Sequence, residues 1–169
     1  MINKTVKHYE IRKKLGEGGM GVVYQAYDSK LDRVVAIKFL PLNLTSDEDR
    51  KKRFLNEARA ASALQHNNTC TIFEIDESEE GQMYIVMPEY EGDSLDQVID
   101  RFKLSTKQAI DIAIQIGEGL KTAHSKGIVH RDIKSSNIFI TGENQAIIMD
   151  FGLAKRYESV KLTKTGETP

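Results

Sequence analysis

The first eighty-odd residues alternate between apolar and polar positions more often than they cycle with a helical period. Tyr9, Ile11 and Leu15 open a loosely alternating strand that runs into a glycine cluster. Val22 to Asp28 (VVYQAYD) reads as the returning strand, Asp28 to Asp32 as a turn, and Val34 to Leu40 (VVAIKFL) as a third strand stopped by Pro41. A helix is then predicted, capped at Thr45 or Ser46 with Glu48 or Asp49 completing a capping box, and running to about Gln65. Strands follow near Cys70 to Ile75 and Met83 to Met87. A short helix follows Gly92, and a long one runs from about Ser105 to His124, stopping at Gly127. Strands first and helices later, around a polar joint near Glu89 to Asp93, predict two lobes joined by a hinge.

Three polar features interrupt this pattern. Lys38 lies within an apolar strand, on the same face as Val34 and Ala36, while Val35, Ile37 and Phe39 share the other. A lysine there needs a partner or a ligand, unless the strand is an edge and the ammonium reaches water. Glu57 falls inside the apolar sector of its helix, among Phe54, Ala58, Ala61 and Leu64. A carboxylate in that sector calls for a cation, for which Lys38 is the candidate, unless it lies at the margin of the stripe. The third is the glycine cluster, Gly16 to Gly21 (GEGGMG), with glycines spaced to let backbone N–H groups approach phosphate. No helix follows directly, as a dinucleotide-binding turn requires, and no Gly-Lys-Ser/Thr follows, as a P-loop requires. A phosphate-covering hairpin flanked by Leu15 and Val23 remains.

A second constellation follows the long helix. His130 to Asn137 reads HRDIKSSN, and Asp150 opens the triplet DFG 18 positions after Asp132. Asp and Asn oxygens suit Mg²⁺, which completes its shell with water and substrate phosphate. A carboxylate can accept a hydroxyl proton, and a nearby lysine can offset phosphate charge.

Composition narrows the class. The 169 residues hold 24 basic and 25 acidic side chains, a formal net charge of −1, which argues against nucleic acid as a partner. No apolar run reaches the length of a membrane span, and MINKTVKHYEIRKKLG lacks the apolar core of a secretory leader. Cys70 is the single cysteine, so no internal disulfide forms; a reducing cytoplasm is expected, with Cys70 a small buried hydrophobe.

Taken together, these motifs resemble the protein-kinase signature set, in order and over nearly the whole chain. GEGGMGVVY resembles the glycine-rich loop, VAIK (Val35 to Lys38) the lysine strand, Glu57 its helical partner, HRDIKSSN the catalytic loop and DFG the metal loop. The resemblance implies an α+β fold. An N-lobe of antiparallel sheet plus helix (residues 1–88) would be hinged to a partial helical C-lobe (residues 89–169). It further implies that Lys38, paired with Glu57, holds the α- and β-phosphates of ATP, that Asp132 orients the substrate hydroxyl, and that Asn137 and Asp150 ligate Mg²⁺. Lys134 looks like the lysine of Ser/Thr kinases, near the γ-phosphate. Gly16, Gly18 and Gly21 would cover the phosphates. Leu15, Val23, Ala36 and Phe139 would sandwich adenine, with Met87 as gatekeeper and the hinge residues Glu89 and Tyr90 beside it. Ala61, Ile72, His130 and Phe151 match the stacked spine that links the lobes. The wording resembles bacterial Ser/Thr kinases.

Two departures carry expectations. Pro88 stands where many family members have a glutamate; its carbonyl and the Tyr90 N–H still serve adenine. After DFG the chain reads LAKRYESVKLTKTGETP, so the family's APE motif and later helices are not reached and the chain is expected to be truncated in the activation segment. Apolar residues of the long helix, from Ala109 to Ala123, spread over about 200° of the wheel, wider than a one-sided helix needs. A homodimer or larger oligomer is therefore expected. Arg131 suggests control by phosphorylation, with Thr163, Thr165 and Thr168 as candidates. The function expected is ATP- and Mg-dependent phosphorylation of Ser/Thr hydroxyls on a protein substrate or on the chain itself. The alternative is a nucleotide-binding regulatory module without useful transfer.

Overall fold

The structure, a computed structural model, describes residues 1–18, 21–42 and 48–151, with only the backbone described at Arg50 and Arg53. Nine strands and three α-helices occur among them, in the α+β arrangement expected. Strands β1 (Thr5–Val6), β2 (Tyr9–Gly18), β3 (Gly21–Asp28), β4 (Arg33–Phe39), β5 (Glu74–Glu77) and β6 (Met83–Pro88) form one six-stranded sheet in the order β1-β2-β3-β4-β6-β5. Every pairing in it is antiparallel. Helix α1 (Glu48–Ser62) lies between β4 and β5 in the chain. Strands β7 (Gly92–Ser94), β8 (Ile138–Thr141) and β9 (Ala146–Ile148) make a small second sheet, alongside α2 (Leu95–Arg101) and α3 (Thr106–Ser125).

The two-sided reading of β4 holds in three dimensions. Val35, Ile37 and Phe39 are buried with Tyr9, Ile11, Ala26, Tyr84 and Val86 on one face of the sheet. Ala36 faces the other way, into a cluster with Phe54, Ala58, Ile85 and Met87, which brings α1 against the sheet. Strand alternation alone therefore sends Lys38 to the same side as Ala36 and the helix.

Two glycines are demanded by close approach. Gly21 has φ 117°, and a Cβ there would lie 1.9 Å from the Phe39 carbonyl oxygen. Gly92, with φ 146°, would bring a Cβ to 2.1 Å from the Ile140 carbonyl oxygen. Any side chain at either position would force the hairpin or the hinge apart.

Some element boundaries differ from the sequence pattern. The strand expected over Cys70 to Ile75 starts only at Glu74. The preceding backbone is used elsewhere: the Cys70 N–H donates to the Ile148 carbonyl at 2.9 Å and the Ile148 N–H to that of Asn68 at 3.0 Å. These bonds fasten the large sheet's helix-to-strand connection to β9. Helix α1 ends at Ser62, three residues short of the expected end, and the chain closes with i→i+3 turns at Ala63 and Leu64. Its expected caps, Thr45 and Ser46, lie outside the described residues.

Helix α3 starts after Ser105, which forms a capping box with Gln108. Gly119 and Ala123 are buried, and Ile112, Ile116 and Leu120 pack against the core beside Ile148. At Gly119 a Cβ would sit 2.9 Å from the Asn68 carbonyl oxygen, whereas at Gly117 it would meet nothing within 4 Å. Gly117→Ala is expected to stabilise by about 0.8 kcal/mol through helix propensity. Gly119→Ala is expected to destabilise by about 1 kcal/mol or more, because the backbone carbonyl cannot yield cheaply. Urea midpoints of the two variants check this; equal shifts would mean the connection bends freely around α3.

Candidate active site

The site lies where the two sheets face each other. Lys38, 7% exposed, projects from β4 and its ammonium lies 2.6 Å from Asp150 Oδ2. Asp150 has φ 57°, a left-handed conformation unusual for a residue other than glycine, which turns its carboxylate back across the cleft. Both side chains are largely buried, so each charge depends on the other.

The expected Lys38–Glu57 pair is not formed in this arrangement. Glu57 Oε1 lies 3.5 Å from Arg131 Nη1, while Oε2 is buried with no hydrogen-bond partner among the described residues. The physical reason is competition for one ammonium. Asp150 reaches it at hydrogen-bonding distance, and Glu57 is left with the half-exposed Arg131 guanidinium. Arg131 likewise has a positive φ, 67°. Glu57 is thus on the face where its helix was expected to present it, but with a different cation.

The catalytic-loop residues converge. Asn137, at the end of the 3₁₀ turn Ser135–Asn137, donates from Nδ2 to the Asp132 carbonyl at 2.8 Å and to Asp132 Oδ2 at 3.2 Å. The Lys134 ammonium lies 3.0 Å from the same Oδ2. The Met149 N–H donates to the Asn137 carbonyl at 2.9 Å, so the loop carrying Asp132 is tied to the one carrying Asp150. His130 joins them a second time: Nε2 contacts the Met149 carbonyl at 2.7 Å, and Nδ1 accepts from the Asp132 N–H at 3.3 Å. Both contacts require the neutral tautomer with the proton on Nε2. Burial lowers the His130 pKa and favours that neutral form, partly opposed by its bond to Met149.

The spine residues come together. The rings of His130 and Phe151 are 4.9 Å apart, and Ala61, Ile72 and Phe151 line one small cavity with Cys70, Met87 and Asp150. Cys70 behaves as the expected buried hydrophobe: burial pushes its thiol up to about 12, so it carries no thiolate at neutral pH.

Next to this cavity, Ala36 and Met87 are cross-strand neighbours, and Val23, Tyr90 and Phe139 pack against the cluster that holds them. Leu15 is more open, at 42% exposure. The glycine hairpin pairs Gly16 with Val23 and Gly18 with Gly21; its tip, Gly19 and Met20, lies outside the described residues. The Glu89 carboxylate takes the Gln25 side-chain N–H₂ at 2.8 and 3.0 Å, which ties the hinge to β3. That leaves Glu89 its backbone groups for any ligand in the cleft. The Gln25 clamp carries no signal in the sequence, since Gln25 is one polar position on an alternating strand. A second clamp was equally hidden. Gln115 Oε1 accepts from Asn68 Nδ2 at 3.0 Å and from the Ala146 N–H at 2.8 Å, locking α3 to both loops behind the site.

The oxygen donors of Asn137 and Asp150 fit Mg²⁺, which is hard and satisfied by few protein ligands. Among the described residues no group of three or more His, Cys, Asp or Glu is placed to hold a metal ion. Gly152, Thr163, Thr165 and Thr168 lie outside the described residues.

The family model of the protein kinase domain matches residues 9–169. The chain belongs to the protein kinase family. Among curated relatives, this kinase chain is 39% identical over 163 residues to the serine/threonine-protein kinase PknA of Mycobacterium tuberculosis, covering 94% of the chain and 38% of PknA. It is 35% identical over 175 residues to the serine/threonine-protein kinase pkn3 of Myxococcus xanthus, covering 98% of the chain and 32% of pkn3. The chain therefore spans well under half the length of these relatives. Among solved structures, the kinase domain of M. tuberculosis PknI superposes with a TM-score of 0.81 at 26% identity, over 92% of this chain and 62% of that one. The kinase-like fold expected from the motifs, and the resemblance to bacterial Ser/Thr kinases, are both borne out. No helix among the described residues is long and apolar enough to cross a membrane.

Proposed function

We propose that this chain binds ATP with Mg²⁺ and transfers the γ-phosphate to Ser or Thr hydroxyls, on a protein substrate or on itself. The observation that carries the reading is the gathering of Asp132, Lys134 and Asn137 in one hydrogen-bonded loop, tied through Met149 to Asp150 and through it to Lys38. In this reading the Asp132 carboxylate accepts the hydroxyl proton and Lys134 offsets charge on the transferred group. Lys38 holds the α- and β-phosphates. Asn137 and Asp150 hold Mg²⁺, which would neutralise phosphate charge. The adenine would lie between Leu15, Val23 and Ala36 above and Phe139 below, beside Met87, Glu89 and Tyr90. The lobes would divide at residue 88, where β6 ends.

The experiment is transfer from labelled ATP, with Mg²⁺, to the chain itself and to a generic basic protein, with Asp132→Asn alongside. Label absent from both acceptors would remove the catalytic reading. A second reading is favoured by one observation: Lys38 bonds Asp150 rather than Glu57. On it, the chain binds nucleotide without useful transfer, and ATP raises the melting temperature while no label moves.

The reading extends to the oligomeric state. Ile110 (53% exposed) and Ile114 (58%) form, with the exposed Ala113 and Gly117, an i, i+3, i+4, i+7 stripe on the outer side of α3. The occupant is a second copy. In an antiparallel pair about a twofold axis, the flank carrying Lys107 and Glu118 faces itself, which sets Lys107 opposite Glu118 twice. Sedimentation at micromolar concentration is expected to give a dimer that Ile114→Glu dissociates; a wild-type monomer would sink this. A cytoplasmic location and phosphate on Thr163, Thr165 or Thr168 belong to the same proposal, the latter read by mass spectrometry after incubation with Mg-ATP.

A further inference from the structure

The hinge is the span between two ladders. Strand β6 ends at Pro88 and β7 begins at Gly92, so Glu89, Tyr90 and Glu91 bridge the two sheets. On one side the ladder stops where Val35 meets Pro88. On the other the chain is fastened again, by the Gly142 N–H donating to the Glu91 carbonyl at 3.1 Å and by the pairing of Gly92 with Thr141. Glu89 itself is held through its side chain. Gln25 Nε2 donates to Glu89 Oε1 at 2.8 Å and to Oε2 at 3.0 Å. Both residues are half-buried. Among the described residues the Glu89 carboxylate meets no cation, and both its oxygens turn to this one neutral amide. Hydrogen bonds to an ionised acceptor are stronger than neutral ones, so the contact resists opening.

The place of the pair gives it a consequence. Strand alternation puts Gln25 on the same face of β3 as Val23. The register sets Gln25 opposite Ala36, and Ala36 opposite Met87. Ala36 and Met87 lie in the cluster beside the cleft, and Val23, Tyr90 and Phe139 pack against it. The Gln25–Glu89 bridge thus crosses from β3 to the hinge on the face assigned to adenine. The next side chain goes elsewhere: the Tyr90 ring packs on the same cluster, 6.2 Å from the Phe139 ring of β8. Two consecutive hinge residues are therefore anchored on two different elements, Glu89 on the large sheet and Tyr90 beside the small one. The Pro88 carbonyl and the Tyr90 N–H flank these anchors.

We propose that Gln25 is a positioning residue for the nucleotide base. Through Glu89 it fixes the hinge backbone, and so sets how sharply the Pro88 carbonyl and the Tyr90 N–H distinguish adenine from a purine without its amino group. The action is indirect, because the Gln25 amide is spent on Glu89. Hydrogen bonds weaken steeply with poor angle and added distance, so a hinge released from β3 loses discrimination before it loses the fold. Proline at position 88 contributes in the same sense, since its fixed φ removes one freedom from the segment that Gln25 secures. This inference rests on the reading of the cleft as an ATP site.

The test is calorimetric titration with Mg-ATP and with the Mg complex of purine riboside triphosphate, which is ATP without the exocyclic amino group. No transfer is involved, so a chain inactive in catalysis still gives an answer. Wild type is expected to prefer ATP. Gln25→Leu keeps the bulk of the side chain and removes its donor. It is expected to bind ATP about five- to tenfold more weakly and the analogue with a smaller loss, so that the preference narrows. Gln25→Glu sets two carboxylates together and is expected to lose at least as much. Exchanging the pair, Gln25→Glu with Glu89→Gln, restores one amide and one carboxylate across the same gap. The exchanged protein is expected to return to within about twofold of wild type in ATP affinity and in preference. Circular dichroism checks that each variant is folded; should Gln25→Leu not fold, Gln25→Glu and the exchange make the same comparison. ATP affinity in the folded single variants equal to wild type, or a preference for ATP as wide as that of wild type, overturns the proposal and leaves the kinase reading standing. Wild type that binds no ATP overturns both.

Discussion

Replacing Asp132 by Asn is expected to lower γ-phosphate transfer by about 10²- to 10⁴-fold while leaving the fold and ATP binding in place. The two side chains are close in shape, and an amide oxygen at Oδ1 or Oδ2 can still accept from Asn137 Nδ2, now at 3.2 Å. What disappears is the basicity that takes a hydroxyl proton and the charge that the Lys134 ammonium meets at 3.0 Å. Lys134 is about half exposed, at 48%, so losing that pair costs about 1 kcal/mol or less. The melting temperature and its rise with Mg-ATP should therefore be close to wild type. Transfer kept within about threefold of wild type would show that Asp132 is not the proton acceptor.

Lys38→Met is expected to act on stability and on transfer through different partners. The Lys38 and Asp150 side chains are 9% and 18% exposed, so deleting the ammonium strands a carboxylate in a largely dry cleft. A loss of about 3 kcal/mol is expected without ligand at neutral pH. Adding Asp150→Asn removes the stranded charge, and the double variant should recover to within about 1 kcal/mol of wild type. Transfer should stay at least about 10²-fold down in both, because neither restores a cation at the phosphates. Urea denaturation of the four proteins gives the cycle. A double variant no more stable than Lys38→Met would mean that the cost lies in packing around β4 and not in the charge.

The same pair bears on the ligand-bound state. If Lys38 is to meet phosphate and Asp150 is to meet Mg²⁺, their 2.6 Å contact must open. Glu57, whose Oε2 is buried without a partner among the described residues, is the group that gains when Lys38 is released. Its present contact with the exposed side of Arg131 is long, at 3.5 Å, and is cheaply exchanged.

Much of the architecture was legible along the chain because it rests on local periodicity. The alternation of β4 separates Val35, Ile37 and Phe39 from Ala36 and Lys38, and the structure divides them between two clusters in that way. The spacing of Phe54, Ala58 and Ala61 marked the inner face of α1 and set Glu57 beside it. The capping and glycine signals around α3 placed it within a residue at each end. The excess apolar width of α3 was equally readable, and Ile110 and Ile114 are exposed for that reason.

The choice of partners was not local, and only the tertiary structure decided it. Lys38 has two carboxylates in reach, and the left-handed backbone at Asp150 gives it one rather than the other. The strand expected from Cys70 starts only at Glu74, because the backbone of Asn68 and Cys70 is bonded to Ile148 in the second sheet. Gln25, Asn68 and Gln115 hold the hinge and the loops behind the site, although each is a single polar residue with no period or motif to mark it. Periodicity is a property of neighbouring residues and is written in the sequence. Which of several charges meet across a cleft depends on distances between segments far apart in the chain, and those exist only once the two sheets and α3 have packed.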